Sequence, residues 1–103
     1  MSPPSDTVRI DLNNSEFQQR LFSLGKDEQH AVLNTLHKLS QLSWPQVYGD
    51  RGLKWEAILS RKGPQGERLY SLRIGQKCRA VAVRDGSWIR LLTLHPDHDS
   101  AYD

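Results

Sequence analysis

Hydrophobic and polar residues alternate through most of the second half of the chain, which is the pattern of half-buried β-strands. Two alternating runs flank Asp85-Gly86, and this dipeptide is a strong hairpin signal because a type I′ turn needs positive φ at both central residues. A two-residue turn there pairs Val83 with Trp88 and, further from the turn, Arg79 with Leu92. The other face of this hairpin is small and apolar, so we expect helices to cover it.

The run over 69–74 joins the same sheet, and the length of the turn after it decides its register. A two-residue loop at Gly75-Gln76 points Arg73 toward the helix-covered side, where an unpaired guanidinium is costly. A three-residue loop over 75–77 moves every side chain to the opposite face. The sequence therefore favours the three-residue loop. The apolar face then gains Tyr70, Leu72 and Ile74, while the opposite, open face carries Ser71, Arg73, Arg79 and Arg90.

The first half of the chain predicts a short strand followed by two helices. Residues 8–12 alternate as a strand. Ser15 followed by Gln18 fits a capping box, and helical spacing of apolar residues continues until Gly25 supplies a C′ stop. A second helix over about 27–42 completes an antiparallel αα-hairpin.

The middle of the chain leads from the helices into the sheet. Trp44-Pro45 ends the second helix, because the residue before proline is pushed out of the αR conformation. Residues 46–52 are expected to be a loop, 53–59 a strand and 60–67 a long hairpin loop. The predicted fold class is α+β, with the N-terminal strand and the helical hairpin packed on one face of a twisted, mostly antiparallel sheet.

Size and composition indicate one small domain. Of the 103 residues, we expect 1–7 to be a disordered N-terminus and 8–103 to be a single domain. The single cysteine, Cys78, excludes an internal disulfide and is predicted to be a core residue, with a reactive thiol as the alternative. The sequence shows no secretory or membrane-spanning run, which predicts a cytoplasmic protein. Residues 51–103 carry ten basic and six acidic groups, which indicates a polyanionic partner or a solvated charged surface.

The open face combines the residue types that a metal-independent, cofactor-free ribonuclease needs. Arginine supplies a planar fork for phosphate oxygens, a carboxylate or imidazole moves protons near neutral pH, and tyrosine hydrogen-bonds or stacks on a base. We expect Glu56 to remove the ribose 2′-hydroxyl proton and His98 to protonate the leaving 5′-oxygen, or the reverse. Arg73 and Arg79 would stabilise the phosphorane, and Tyr102 would orient the substrate.

Simpler interpretations stay open for several of these residues. Glu56 alternatively pairs with Lys54 or Arg79 in a surface ion network. Arg90 is alternatively a solvated cross-strand residue. The segment 95–99, with the sequence His-Pro-Asp-His-Asp, alternatively binds a divalent metal ion. Packing rather than base stacking is predicted for the tryptophans Trp44, Trp55 and Trp88.

Several short motifs, in their order along the chain, resemble the RelE/ParE superfamily of bacterial toxin–antitoxin toxins. They are Gly52-Leu53-Lys54-Trp55-Glu56, Leu69-Tyr70-Ser71-Leu72-Arg73-Ile74, Cys78-Arg79-Ala80-Val81 and His98-Asp99-Ser100-Ala101-Tyr102. The resemblance extends over nearly the whole domain from Val8 onward. It implies a RelE-like fold, in which a helical hairpin packs on a twisted antiparallel sheet and a basic concave face lies opposite.

In the RelE-like branch that face cuts mRNA in the ribosomal A site, so the resemblance implies a ribosome-dependent endoribonuclease toxin. Arg73, Arg79 and Tyr102 stand where the RelE-like pattern places strand arginines and a tyrosine near the C-terminus. His98 resembles the histidine of YoeB-like members, in which a strand glutamate like Glu56 also serves. Further RNA contacts are expected from Lys54, Arg61, Lys62, Arg90 and His95.

The resemblance also implies a partner antitoxin that wraps the toxin, and no membrane partner. The ParE-like branch shares the fold but inhibits DNA gyrase without needing a catalytic set, which makes gyrase inhibition the main alternative. A third alternative is a non-toxic member that acts as a binding module. Gyrase inhibition predicts that open-face residues can be replaced without loss of activity.

Overall fold

The computed structural model describes residues 7–96, which form a five-stranded sheet and three helices. The elements are β1 (Arg9–Asp11), α1 (Ser15–Phe22), α2 (Lys26–Ser40), α3 (Trp44–Gly49), β2 (Glu56–Lys62), β3 (Arg68–Arg73), β4 (Arg79–Asp85) and β5 (Trp88–His95). Across the sheet the order is β1-β5-β4-β3-β2, with β1 parallel to β5 and the other neighbours antiparallel. The predicted α+β class is confirmed. Within the described residues no helix is long and apolar enough to cross a membrane.

The residues that cap the starts of α1 and α2 differ from the sequence prediction. Asn14, not Ser15, caps α1, because its side chain accepts hydrogen bonds from the N–H groups of Glu16 and Phe17 at 2.9 and 3.1 Å. Gly25 has an extended backbone and is the N-cap of α2. The prediction that Gly25 ends α1 in a C′ position is therefore wrong, although α2 occupies nearly the predicted range.

Helix α3 replaces most of the loop predicted over 46–52. Ser43 and Gln46 form a capping box, in which the side chain of each accepts a hydrogen bond from the backbone N–H of the other. Pro45 lies in the first turn, where a missing N–H leaves no helical hydrogen bond unmade. The proline thus lies in the first turn of a new helix, which begins at Trp44 shortly after α2 ends at Ser40.

The helices cover one face of the sheet, as predicted. Ala80 and Ala82 of β4 are fully buried, and their small side chains let the helices approach the central strand closely. Trp44 and Trp55 are also buried, with their rings 5.3 Å apart in an edge-to-face arrangement, which confirms their packing role. Trp88 is 41% exposed. The core cluster also includes Phe17, Val32, Leu39, Val47, Ile89, Leu91 and Leu94.

The register between β3 and β4 is the one that the sequence favours. Leu72 pairs with Ala80, and Arg73 pairs with Arg79. The N–H of Ile74 donates to the carbonyl of Cys78 at 3.0 Å, which closes the three-residue loop over 75–77. Arg73 consequently lies on the open face beside Arg79.

The turn between β4 and β5 is shifted from its predicted position. Asp85 pairs with Trp88, so the two central residues are Gly86 and Ser87 rather than Asp85 and Gly86. Gly86 has φ of 60°, as a type II′ turn requires at its first central position. Val83 pairs with Arg90, and its predicted pairing with Trp88 is wrong.

A β-bulge in β5 changes the pairing further from this turn. Ala82 pairs with Leu91 but Val81 pairs with Thr93, so Leu92 is an extra residue. Arg79 therefore faces His95, and its predicted pairing with Leu92 is wrong. Beyond the bulge, every side chain of β5 lies on the face opposite to the one that an unbroken ladder would give it.

Strand β2 begins later and ends later than predicted. Residues 50–54 form a turn in which the Asp50 side chain accepts from the N–H of Leu53 at 3.0 Å and contacts Lys38 Nζ at 2.8 Å. The hydrogen bond to Lys38 lowers the pKa of Asp50. At the other end, Ile58 pairs with Leu69 and Lys62 with Arg68, so three residues of β2 bulge out between them. The predicted loop over 60–67 therefore starts only after Lys62.

Candidate functional site

The strand register places three cationic or titratable residues in one row across the open face. Arg73 of β3 pairs with Arg79 of β4, and Arg79 pairs with His95 of β5. Adjacent strands lie about 4.8 Å apart, so the two guanidinium groups are carried by directly opposite positions. Like charges at directly opposite positions repel each other. We call these three residues the central row.

A cavity of about 470 Å³ opens at the Arg73 and Arg79 end of this row. It is lined by Lys54, Arg73, Gln76, Lys77, Cys78, Arg79 and Pro96. Four of these residues are cationic and none is acidic, so the lining attracts anions. We call it the cationic cavity. The sequence prediction missed Lys77 as a site residue because it lies in the loop over 75–77, outside the alternating strand pattern.

Hydrogen bonds to backbone groups position two cationic residues, Lys54 and Arg73, at this cavity. The backbone N–H of Arg73 donates to the carbonyl of Leu53 at 2.6 Å, which ties the turn before β2 to the end of β3. Lys54 follows in that turn with a left-handed backbone, φ 50°, and lies at the cavity. The guanidinium of Arg73 donates to the carbonyls of Gly75 and Gln76 at 3.4 and 3.2 Å. These bonds hold the exposed Arg73 side chain over the loop.

His95 is half-buried at the other end of the central row. Its Nε2 lies 2.8 Å from Thr93 Oγ1, within hydrogen-bond distance. Burial is the largest cause that lowers the pKa of His95, and the charges of Arg20 and Arg61 act in the same direction, whereas Glu16 raises it. The Arg61 guanidinium comes from the bulge in β2.

A second depression of about 590 Å³ lies beside the row on the open face. Its floor is apolar, formed by Leu69, Val81, Val83 and Leu92. Its rim carries both signs of charge, from Glu16, Arg61, Lys62, Glu67 and Arg90. The open face therefore has a cationic end and an apolar end.

The other site residues that the sequence predicts do not all lie at the cationic cavity. Glu56 is exposed on β2, opposite the buried Ser71, and it is not among the residues that line the cationic cavity. Arg90 contacts Asp85 at 2.8 Å and Asp11 at 3.6 Å, which agrees with its interpretation as a cross-strand residue. His98 and Tyr102 lie outside the described residues. Arg61, Lys62 and Arg90 lie at the apolar depression, and Lys54 lies at the cationic cavity.

The structure describes two residues, His95 and Pro96, of the segment 95–99 that alternatively binds a metal ion. Among residues 7–96, no group of three or more histidine, cysteine, aspartate or glutamate side chains can hold a metal ion. Three of the five residues in the segment 95–99 lie beyond the described part. His95 itself is oriented by Thr93 rather than by a carboxylate.

Cys78 is expected to resist alkylation in the folded protein. It is 2% exposed, and burial, followed by the nearby Glu28 carboxylate, raises the pKa of its thiol to about 11. Since the thiolate is the reactive form, iodoacetamide near neutral pH should modify the native protein about 10²-fold more slowly than the denatured protein. Mass spectrometry over time measures both rates. Equal rates would show that the reactive-thiol interpretation is correct.

Comparisons with known proteins identify the fold. No protein-family model matches this sequence, and no curated protein matches it at significant similarity. A chain in the crystal structure of the archaeal RelE–RelB complex from Pyrococcus horikoshii OT3 does match in structure, with a TM-score of 0.61 and 21% sequence identity. The match covers 87% of this chain and 94% of that chain. The two chains share one fold over nearly their whole length.

Proposed function

We propose that this chain, which has a RelE-like fold, is the toxin of a toxin–antitoxin system and cleaves mRNA on the ribosome in the cytoplasm. The fold alone does not determine this activity, because one fold can carry several functions. The proposal rests on the chemistry of the open face.

The observation that carries the proposal is the like-charged pair Arg73 and Arg79 at a cavity that also holds Lys54 and Lys77. Two arginines at directly opposite positions concentrate positive charge at one place on the sheet. Guanidinium groups donate in a planar fork that fits phosphate oxygens. Four cations around one cavity therefore favour a phosphate as the bound group, and RNA supplies it.

The reaction is an internal transesterification that needs two proton transfers and no metal. A base removes the proton from a ribose 2′-hydroxyl, and the 2′-oxygen attacks the adjacent phosphorus. Arg73 and Arg79 stabilise the extra negative charge of the phosphorane. The bond from phosphorus to the 5′-oxygen then breaks, and an acid protonates that oxygen. The products are a 2′,3′-cyclic phosphate and a 5′-hydroxyl end.

The sequence supplies candidates for the remaining roles. Glu56 and His98 are proposed as the proton-transfer pair in either order, and Tyr102 as the residue that orients the substrate. Lys54, Arg61, Lys62, Arg90 and His95 are proposed as further RNA contacts. The apolar depression and the cationic cavity form one continuous side of the sheet, where a bound strand would meet apolar surface as well as charge.

We propose an antitoxin protein as the second partner. The structurally similar archaeal chain was crystallised as a RelE–RelB complex. On this chain, an acidic and apolar segment would match both the cationic cavity and the apolar depression. Binding there would exclude RNA from the arginines.

Replacement of Arg73 by alanine is expected to slow mRNA cleavage by about 10² to 10³-fold, because it removes one contact to the phosphorane charge. The measurement is primer extension on an mRNA held in the A site of purified ribosomes. Arg68→Ala is the matched control, since Arg68 begins the same strand but lies on the other side of it and is exposed. Circular dichroism verifies folding.

Two results would contradict the proposal. Unchanged cleavage by a folded Arg73→Ala variant would exclude the phosphorane contact. Absence of ribosome-dependent cuts by the wild type, together with loss of gyrase supercoiling activity, would establish the gyrase-inhibitor alternative instead.

A further inference from the structure

Two β-bulges bring side chains to the open face that regular strands would place elsewhere. If the pairing of Ala82 with Leu91 continued without interruption, Arg79 would face Leu94 and His95 would point toward the helices. The extra residue Leu92 prevents this, so Leu94 is fully buried and His95 joins the central row. Bulges often re-aim side chains next to active sites. The bulge in β2 likewise delivers Arg61 to this side of the sheet.

The surroundings of His95 fix the orientation of its ring. Thr93 Oγ1 lies 2.8 Å from Nε2. The charges of Glu16 and Arg20 on α1 and of Arg61 on β2 act on the ring, and Arg79 of β4 is the cross-strand neighbour of His95. Arg20 also donates to the carbonyl of Leu94 at 3.3 Å, which holds α1 against the end of β5. A hydrogen bond at one ring nitrogen favours one tautomer and so determines which nitrogen can accept a proton.

We propose that His95 is the general base of the site and removes the ribose 2′-hydroxyl proton. The inference rests on the proposed ribonuclease function, and it assigns the role of base to His95 in place of the sequence-derived candidates Glu56 and His98. This role requires the tautomer in which Thr93 Oγ1 accepts a hydrogen bond from Nε2–H, so that the lone pair of Nδ1 takes the proton. The 2′-oxygen then attacks phosphorus, the 5′-oxygen leaves, and that oxygen receives a proton from a separate acid. His95 returns its proton to water after the reaction.

The position of His95 suits this role better than that of Glu56. Arg79, a proposed phosphorane ligand, is the direct cross-strand partner of His95. Glu56 of β2 pairs with Ser71 and is only a diagonal neighbour of Arg73, which is a longer separation than that of a directly opposite pair. A base beside the phosphate-binding arginines can reach the sugar that carries the scissile phosphate.

The lowered pKa of His95 is consistent with its proposed role as a general base. Its pKa lies below the ordinary 6.5 because of burial, Arg20 and Arg61, with Glu16 opposing. The ring is therefore neutral near pH 7 and able to accept a proton. Since the neutral form is the active one, the cleavage rate should rise with pH up to this lowered pKa and level off above it. The unfolded chain binds this proton more tightly, so acid also destabilises the fold below the ordinary pKa.

The test compares cleavage by the wild type, His95→Gln, Glu56→Gln and His37→Gln. Purified ribosomes that hold an mRNA codon in the A site are mixed with excess protein, and the first-order rate is followed from about pH 5.5 to about pH 8. We expect His95→Gln to lose about 10²-fold in rate and the acid-side fall in its pH profile. His37 is exposed on α2, so His37→Gln should keep both. Circular dichroism at each pH verifies folding.

The outcomes distinguish this inference from the proposed function. If the wild type cleaves and His95→Gln retains the rate or the acid-side fall, His95 is not the base. If Glu56→Gln alone removes the acid-side fall, Glu56 is the base. If the wild type does not cleave, the ribonuclease function and the role of His95 both fail. Nitrogen NMR of the wild type shows which ring nitrogen of His95 carries the proton, and it needs no substitution. A proton on Nδ1 at neutral pH would overturn the proposal.

Discussion

The free energy of unfolding is expected to fall by about 2–5 kcal/mol when Leu94 is replaced by alanine. Leu94 is fully buried in the core cluster because the bulge at Leu92 turns it toward the helices. Truncation removes its apolar contacts and leaves a cavity that a close-packed core fills only partly. Urea unfolding followed by circular dichroism measures the change.

Leu92→Ala is the matched control for this prediction. Leu92 is half-buried on the floor of the apolar depression, so its truncation should cost about 1 kcal/mol. An unbroken ladder would place Leu94 on the open face. Similar small losses for both variants would therefore contradict the bulge, and with it the placement of His95 beside Arg79.

Replacement of Phe17 by alanine is expected to lower the free energy of unfolding by about 3–5 kcal/mol. Phe17 is the buried aromatic of α1, with 0% exposure, and it belongs to the same core cluster as Ile89, Leu91 and Leu94 of β5. The loss of a large ring between helix and sheet leaves a cavity that the short helix cannot close without moving.

Phe22 provides the comparison on the same helix. It is 71% exposed, and Phe22→Ala should change the free energy of unfolding by about 0.5 kcal/mol or less. Thermal and urea unfolding of both variants would measure the difference. A small loss for Phe17→Ala would show that α1 does not anchor the sheet.

The pairing register of two strands can be predicted from the sequence where the alternative register would bury a charged side chain. Arg73 is such a residue: only the three-residue loop over 75–77 keeps its guanidinium out of the core, and the observed pairing of Arg73 with Arg79 follows. The bulge at Leu92 has no such signal. Leu91, Leu92 and Leu94 are chemically alike, so composition does not indicate which of them is extra, and packing against the helices decides.

Some residues of the candidate site could be predicted from the sequence, and others could not. Arg73, Arg79 and Lys54 are strand or near-strand residues, and the structure places all three at the cationic cavity. Lys77 was missed because a loop residue carries no periodic signal. His95 was predicted only as an RNA contact, since its place next to Arg79 depends on the bulge. Helix α3 (Trp44–Gly49) was missed because proline was interpreted as a stop rather than as a first-turn residue.

The sheet order has a consequence for how the protein forms during translation. Among the strands of residues 7–96, β1 leaves the ribosome first and β5 last, and these two strands pair with each other. β5 also completes the central row, because His95 lies near its end. A nascent chain therefore holds an unpaired first strand and no assembled site until β5 emerges. A product that stops before Trp88 would contain Arg73 and Arg79 but would lack the neighbour that both β1 and β4 require.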